Sequence, residues 1–324
     1  GEILEEPVSP IVVPEDFISD REVLVVETAL GCKFDCSFCG YDFRNNKKPH
    51  LIDEEVLYNS LKTAHDMFGV DHFFFADDTI NEVDVKLELI GRVVEQLDFN
   101  PSFMAFARLD VVGAKTHQID LMQKANIDTL FFGIESFNPN VTKMIRKGGK
   151  PDKLLDTLRL FKKEMPDAFT YANFIIGLTG DTEESIWEHG HKLIEEQLVT
   201  SAGCNALRIY QNLDNPDVES NIDKDPEKFG YELTGQDREW PELGYTSKTW
   251  KNDWIDVKQA EELAKKYDKV MADGLESVFT AHEILGIAGL FKDRLPWKNY
   301  NNLLPIANKG QTKMLNKYIK NKSM

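Results

Sequence analysis

From about residue 20 to residue 212 the chain alternates between short apolar runs and longer stretches in which apolar positions recur every three or four residues. The first pattern reads as a strand buried on both faces, the second as an amphipathic helix. Apolar runs at 22–28, 71–76, 102–107, 129–134, 170–178 and 205–210 predict six strands. Helical spacing predicts helices over 53–68, 84–97, 117–125, 141–145, 153–163 and 182–198. Two of these carry boundary signals. Asp53 is a candidate N-cap with Gly69 just past the end of its helix, and Thr182 is a candidate N-cap.

Continuous apolar strands separated by helices imply an α/β protein with a parallel sheet covered on both faces. The alternation stops after 212. Residues 213–255 are acidic and contain Pro216, Pro226 and Pro241. They read as a loop-like cap segment that Trp240, Trp250 and Trp254 pack down. Helical spacing returns at 257–273, 277–290 and 311–320. The expected organisation is an N-terminal extension or linker over 1–20, an α/β core over 21–212, the acidic cap over 213–255 and a C-terminal helical region over 256–324.

Charge narrows the function. The chain has 324 residues, with 38 Lys and Arg against 55 Asp and Glu, a formal charge of −17. That excludes a general nucleic-acid or membrane-surface binder, which needs a basic face. The lysines at 309, 313, 317, 320 and 322 read as a solvated helix face. No apolar run approaches the roughly 18–20 residues that span a bilayer, and residues 1–6 are acidic without a signal-peptide pattern. The expected location is cytoplasmic. Four cysteines are too few for a disulfide scaffold.

Three of those cysteines fall in one short loop, Cys32-x3-Cys36-x2-Cys39, directly after the first strand. Clustered thiols point to metal or redox chemistry. A structural zinc wants four ligands, and neither His50 nor His65 has finger-like spacing. Three thiolates suit an iron–sulfur cube with one iron left open. With the aromatic Phe38 just before the last cysteine, the loop resembles the signature of the radical S-adenosylmethionine (radical SAM) superfamily. The resemblance implies a partial (β/α)6 TIM-like barrel with its chemistry at the C-terminal strand ends. It implies a 4Fe-4S cluster on Cys32, Cys36 and Cys39, and S-adenosylmethionine on the open iron. Reductive cleavage would give a 5′-deoxyadenosyl radical that takes hydrogen from a small-molecule or peptide substrate. The electron would come from an external donor of the flavodoxin or ferredoxin type. In texture the chain is most similar to radical SAM halves that follow a cobalamin-binding domain, but no such domain is read here and cobalamin is not assigned. The alternative is a non-catalytic metal-binding protein holding zinc or a structural iron–sulfur centre.

The resemblance also assigns strand-end residues. Phe38 lies near the adenine. Where the family often carries Gly-Gly-Glu after strand two, this chain has Ala76-Asp77-Asp78-Thr79, so Asp77 or Asp78 is expected to hold the methionine ammonium. Arg108 is expected to grip the methionine carboxylate or a substrate anion, or else to form a rim salt bridge with Asp110 or Glu135. Glu135 and Ser136 contact the ribose and amino-acid part, Arg146 is a cofactor-facing base, and Gly177 brings backbone beside the adenine. Cys204 is either a hydrogen-atom donor near the mouth or a small core residue. Arg208 and Tyr210, ending strand six, are substrate-side candidates.

Overall fold

The structure, a computed structural model, describes residues 12–40, 50–210, 219–240 and 245–276. Its strands are β1 (Val23–Val26), β2 (Ala29–Leu30), β3 (His50–Leu51), β4 (His72–Phe75), β5 (Ser102–Ala107), β6 (Ile127–Glu135), β7 (Phe169–Ile176), β8 (Ser201–Ala206), β9 (Glu232–Trp240) and β10 (Tyr245–Lys251). Its helices are α1 (Glu54–Phe68), α2 (Asp84–Gln96), α3 (Leu109–Ala114), α4 (Gln118–Lys124), α5 (Pro139–Met144), α6 (Pro151–Glu164), α7 (Glu183–Glu195), α8 (Asn221–Lys224) and α9 (Val257–Gly274).

Six strands form one parallel sheet in the order β1-β4-β5-β6-β7-β8. Each is followed by helix before the next, as the alternation predicts. Among the described residues β1 and β8 do not pair with each other, so the sheet is an open, partial barrel. The helices cover one face, burying Phe73, Phe75, Phe103, Phe132 and Phe161. Each such ring contributes about 1.5–3 kcal/mol of burial. The caps read from the sequence are present: Asp53 accepts from Glu55 N at 2.8 Å, and Gly69 ends α1 in the left-handed region at φ 71°. Thr182 and Ser185 form a reciprocal capping box at α7.

Two expectations differ from the structure. The sixth strand is β8, four residues earlier than 205–210. Its sequence, Ser-Ala-Gly-Cys-Asn-Ala, lacks a bulky apolar run because its surroundings leave no room for one. A Cβ on Gly203 would meet Tyr171 Oη at 2.3 Å and Asp268 Oδ1 at 3.1 Å. Within the acidic segment expected as a loop, the described residues include the antiparallel β9–β10 hairpin. Trp250 on β10 is a fully buried large side chain, and the sequences of β9 and β10 show no two-residue apolar period. The indole of Trp250 donates to Leu207 O at 3.0 Å and meets Tyr231 edge-on, which pins the hairpin to the strand ends. The helices expected at 277–290 and 311–320, the lysine-rich tail and most of the N-terminal linker lie outside the described residues. No helix among the described residues is long and apolar enough to cross a membrane.

Candidate functional site at the strand ends

The three-cysteine loop leaves β1 through β2 and turns at Gly31, whose φ of 87° is open to glycine. It is held from three sides. Ser37 N donates to Ile145 O at 2.9 Å, beside α5. Ile222 N, in α8, donates to Ser37 O at 2.9 Å. Lys33 N donates to Glu82 Oε2 at 3.1 Å, just before α2. Cys32, Cys36 and Cys39 are not bridged by disulfides and are partly exposed. Burial pushes the Cys32 thiol up, and the carboxylates of Glu82 and Asp78 add to the rise. Among the described residues no three His, Cys, Asp or Glu side chains converge on a single-ion site. A tetrahedral zinc needs its thiolates about 2.3 Å from one point, whereas a four-iron cube takes each thiolate at a different iron.

Behind the loop, at the end of β4, lies a buried ionic network. Lys86 on the first turn of α2 is fully buried. Its ammonium donates to Glu82 Oε1 at 2.8 Å, Thr79 O at 2.9 Å and Asp77 Oδ1 at 3.1 Å. Asp77 also accepts from Thr28 N at 2.9 Å and Thr28 Oγ1 at 2.6 Å. Asp77 is therefore committed to the scaffold rather than open to an ammonium, a correction to its expected role. Asp78 is half-buried and lies close enough to Cys32 to raise its thiol. Sequence reasoning missed Glu82 and Lys86, although their i, i+4 spacing was a signal.

At the end of β5, Arg108 is clamped by its backbone. Its N–H donates to Asn81 Oδ1 at 2.8 Å and its carbonyl accepts from Asn81 Nδ2 at 3.0 Å. Its guanidinium forks onto Asp110, with Nε on Oδ1 at 3.0 Å and Nη2 on Oδ2 at 2.8 Å. Nη1 donates to Cys36 Sγ at 3.1 Å, and the guanidinium carbon sits 3.9 Å from the Phe34 ring centroid. The rim salt bridge is made with Asp110, not Glu135.

Glu135 ends β6 at a left-handed φ of 67°, a conformation that costs a non-glycine residue about 1–3 kcal/mol. It accepts from Lys147 Nζ at 2.7 Å, and the same ammonium lies 5.7 Å from the Phe38 ring centroid. Glu135 and Phe38, assigned together by resemblance, thus share Lys147, a residue the sequence reading passed over. Ser136 Oγ donates to Asp181 Oδ1 at 3.1 Å. Burial pushes Asp181 up to about 6, against the pull of Ser136 and Ser185. Arg146 forms an exposed ion pair with Asp35 on the cysteine loop.

Gly177 and Cys204 both lie in packed surroundings. Gly177, at φ 100°, admits close approach by Trp250: a Cβ there would sit 2.4 Å from the indole. Its carbonyl accepts from Tyr231 Oη at 3.1 Å and Asn252 Nδ2 at 2.9 Å. The glycine is packed against the hairpin. Cys204 lies within β8, buried against α9, where its thiol donates to Ala264 O at 3.5 Å. Burial pushes that thiol far up. It is the small core residue and not a hydrogen donor at the mouth. Tyr210 N donates to Asp223 Oδ1 at 2.7 Å, and Arg208 is half-buried beside it.

A sequence profile of the Radical SAM superfamily matches residues 26–193. An uncharacterized methyltransferase of Pyrococcus horikoshii is 28% identical over 162 residues, which cover 50% of this chain and 34% of the relative. The ribosomal protein uS12 methylthiotransferase RimO of Streptomyces griseus is 24% identical over 244 residues, covering 68% of this chain and 45% of its own. Among solved structures, the radical S-adenosylmethionine methyltransferase TsrM from Kitasatospora setae, with cobalamin and a 4Fe-4S cluster bound, superposes with a TM-score of 0.63 at 12% identity. That match covers 89% of this chain and 61% of TsrM. The chain spans between about a third and a half of the length of these two curated relatives.

Proposed function

The chain belongs to the radical SAM superfamily, and from that premise we propose that it is an enzyme that cleaves S-adenosylmethionine reductively at a 4Fe-4S cluster held by Cys32, Cys36 and Cys39. The observation that carries this reading is the loop of three partly exposed thiols at the C-terminal end of β1, with a guanidinium N–H on the middle sulfur. When bound, such a cluster supplies an electron to the sulfonium of S-adenosylmethionine, which splits to methionine and a 5′-deoxyadenosyl radical.

The chain's own residues supply position and charge. Cys32, Cys36 and Cys39 fit a cluster because they are unbridged and set on a loop anchored from three sides. Asp78 is suited to an ammonium at the rim. Glu135 and Ser136 offer a carboxylate and a hydroxyl to ribose hydroxyls, with Lys147 and Asp181 fixing their orientation. Phe38 offers a ring face beside them. Arg146 bears on the site through Asp35 of the cysteine loop. Members of the superfamily act on substrates and need a reductant. For this chain the proposal is a small-molecule or peptide substrate and a donor of the flavodoxin or ferredoxin type.

The test is anaerobic reconstitution with iron and sulfide, then dithionite and S-adenosylmethionine, with 5′-deoxyadenosine followed by mass spectrometry. The expected result is 5′-deoxyadenosine from the parent chain and none from Cys36→Ala. Tightly bound zinc with no cluster and no cleavage overturns the reading, as does cleavage that persists in Cys36→Ala after its iron is lost.

A further inference from the structure

We infer that Arg108 is a positioning residue that raises the reduction potential of the cluster by holding one N–H on the Cys36 sulfur. The inference rests on the ligand assignment just proposed.

The geometry leaves the guanidinium little freedom. A guanidinium has five donors in a rigid planar fork. Two of them are spent on the two oxygens of Asp110, at 3.0 and 2.8 Å. One flat face is covered by the Phe34 ring at 3.9 Å. The backbone N–H and carbonyl of the same residue are both bound to the Asn81 side chain. Asn81 is itself buried and donates to Gln118 Oε1 at 3.1 Å. A third donor, on Nη1, reaches Cys36 Sγ at 3.1 Å. The side chain is 6% exposed, so water does not compete for the bond. Three of the five N–H groups are placed by these contacts.

The environments of two of the sulfurs differ in sign. Cys32 has Glu82 and Asp78 nearby, and both carboxylates disfavour added negative charge. Cys36 has a cation's N–H at hydrogen-bond distance. One-electron reduction adds one negative charge to the cluster and its thiolates. A donor fixed on a ligating sulfur stabilises the reduced form more than the oxidised form and raises the potential. Asp110 acts against it, because its carboxylate neutralises part of the guanidinium charge. The pair therefore makes two opposed predictions from one contact.

The test is a mediator-controlled redox titration of the reconstituted full chain, read by electron paramagnetic resonance of the reduced cluster without S-adenosylmethionine. Iron per chain is measured in parallel. In Arg108→Met the equilibrium constant for reduction falls about tenfold, which is about 59 mV for one electron. In Asp110→Asn, which keeps the guanidinium and removes its countercharge, the potential moves the other way. Arg108→Lys keeps the charge without the fork and falls between the parent and Arg108→Met; it carries the test where the methionine variant does not assemble. A purely structural Arg108 would lower iron content in all three variants without opposed shifts. Potentials equal to the parent at equal iron content, or shifts of one sign in Arg108→Met and Asp110→Asn, overturn the inference while leaving the proposed activity standing. A parent chain that assembles no cluster overturns both.

Discussion

Replacing Lys86 by Met tests whether the network behind the cysteine loop is held by charge. Lys86 is fully buried and sits in the first turn of α2, where the helix dipole disfavours a cation. Burial alone would push its ammonium down. Asp77 and Glu82 outweigh that, and it ends above the ordinary lysine value. Its stabilising contribution is therefore complete below about pH 10.4 and is lost as pH rises through the raised value. Methionine fills nearly the same volume but leaves Asp77 and Glu82 buried without their cation. Breaking a buried pair in this way costs about 3–5 kcal/mol. A domain's whole stability is about 5–15 kcal/mol, so the loss is visible in urea denaturation of the cluster-free chain near pH 7.

A control separates charge from packing. In the triple variant Lys86→Met, Asp77→Asn, Glu82→Gln, the amide at 82 keeps an oxygen for Lys33 N, and the amide at 77 keeps one for Thr28 N while its nitrogen can donate to Thr28 Oγ1. No charge is then stranded, and most of the loss should return. Because Lys33 N hangs on Glu82 beside Cys32, iron bound per chain should fall in the single variant and recover in the triple. A single variant that loses less than about 1 kcal/mol, or a triple variant no more stable than the single, refutes the argument.

Two further expectations follow from the strand ends. Gly177→Ala places a methyl 2.4 Å from the Trp250 indole at φ 100°, and overpacking of this kind costs about 1–3 kcal/mol. Tryptophan fluorescence should report a displaced hairpin, and an unchanged emission spectrum with unchanged stability refutes the contact. Asp181, pushed up to about 6, binds its proton more tightly folded than unfolded, so its contribution to stability falls as pH rises from about 4 to about 6. Asp181→Asn removes that slope, up to about 3 kcal/mol across the window. Urea midpoints at several pH values measure it, and parallel pH profiles of parent and variant refute it.

The features that were legible in the sequence are local ones. Three cysteines within eight residues, and apolar runs spaced by helices, need no knowledge of what lies across the fold. The strand ends were legible as positions but not as partners. Arg108 had Asp110 and Glu135 as equal candidates until the fold aimed one N–H at Cys36. Asp77 and Asp78 are neighbours in sequence with opposite fates, decided by Lys86 reaching back from the next helix. Gly177 read as a ligand-approach glycine because nothing local announces Trp250, which arrives from the hairpin far along the chain. β8 was misplaced because its small residues answer to the helix packed on them rather than to strand propensity.

The rim has a pattern that none of these residues shows alone. Asp77 and Glu82 are neutralised by Lys86, Asp110 by Arg108, Glu135 by Lys147, and Asp35 by Arg146. These pairs stand at successive strand ends around the cysteine loop, in a chain whose formal charge is −17. A cluster held by three thiolates adds negative charge, and open carboxylates at this distance would oppose both its assembly and its reduction. Internal pairing reduces that opposition while keeping the carboxylate oxygens where they orient the loop. The acidity of the chain and the proposed chemistry are thus compatible, because four cations offset all but one of these five carboxylates.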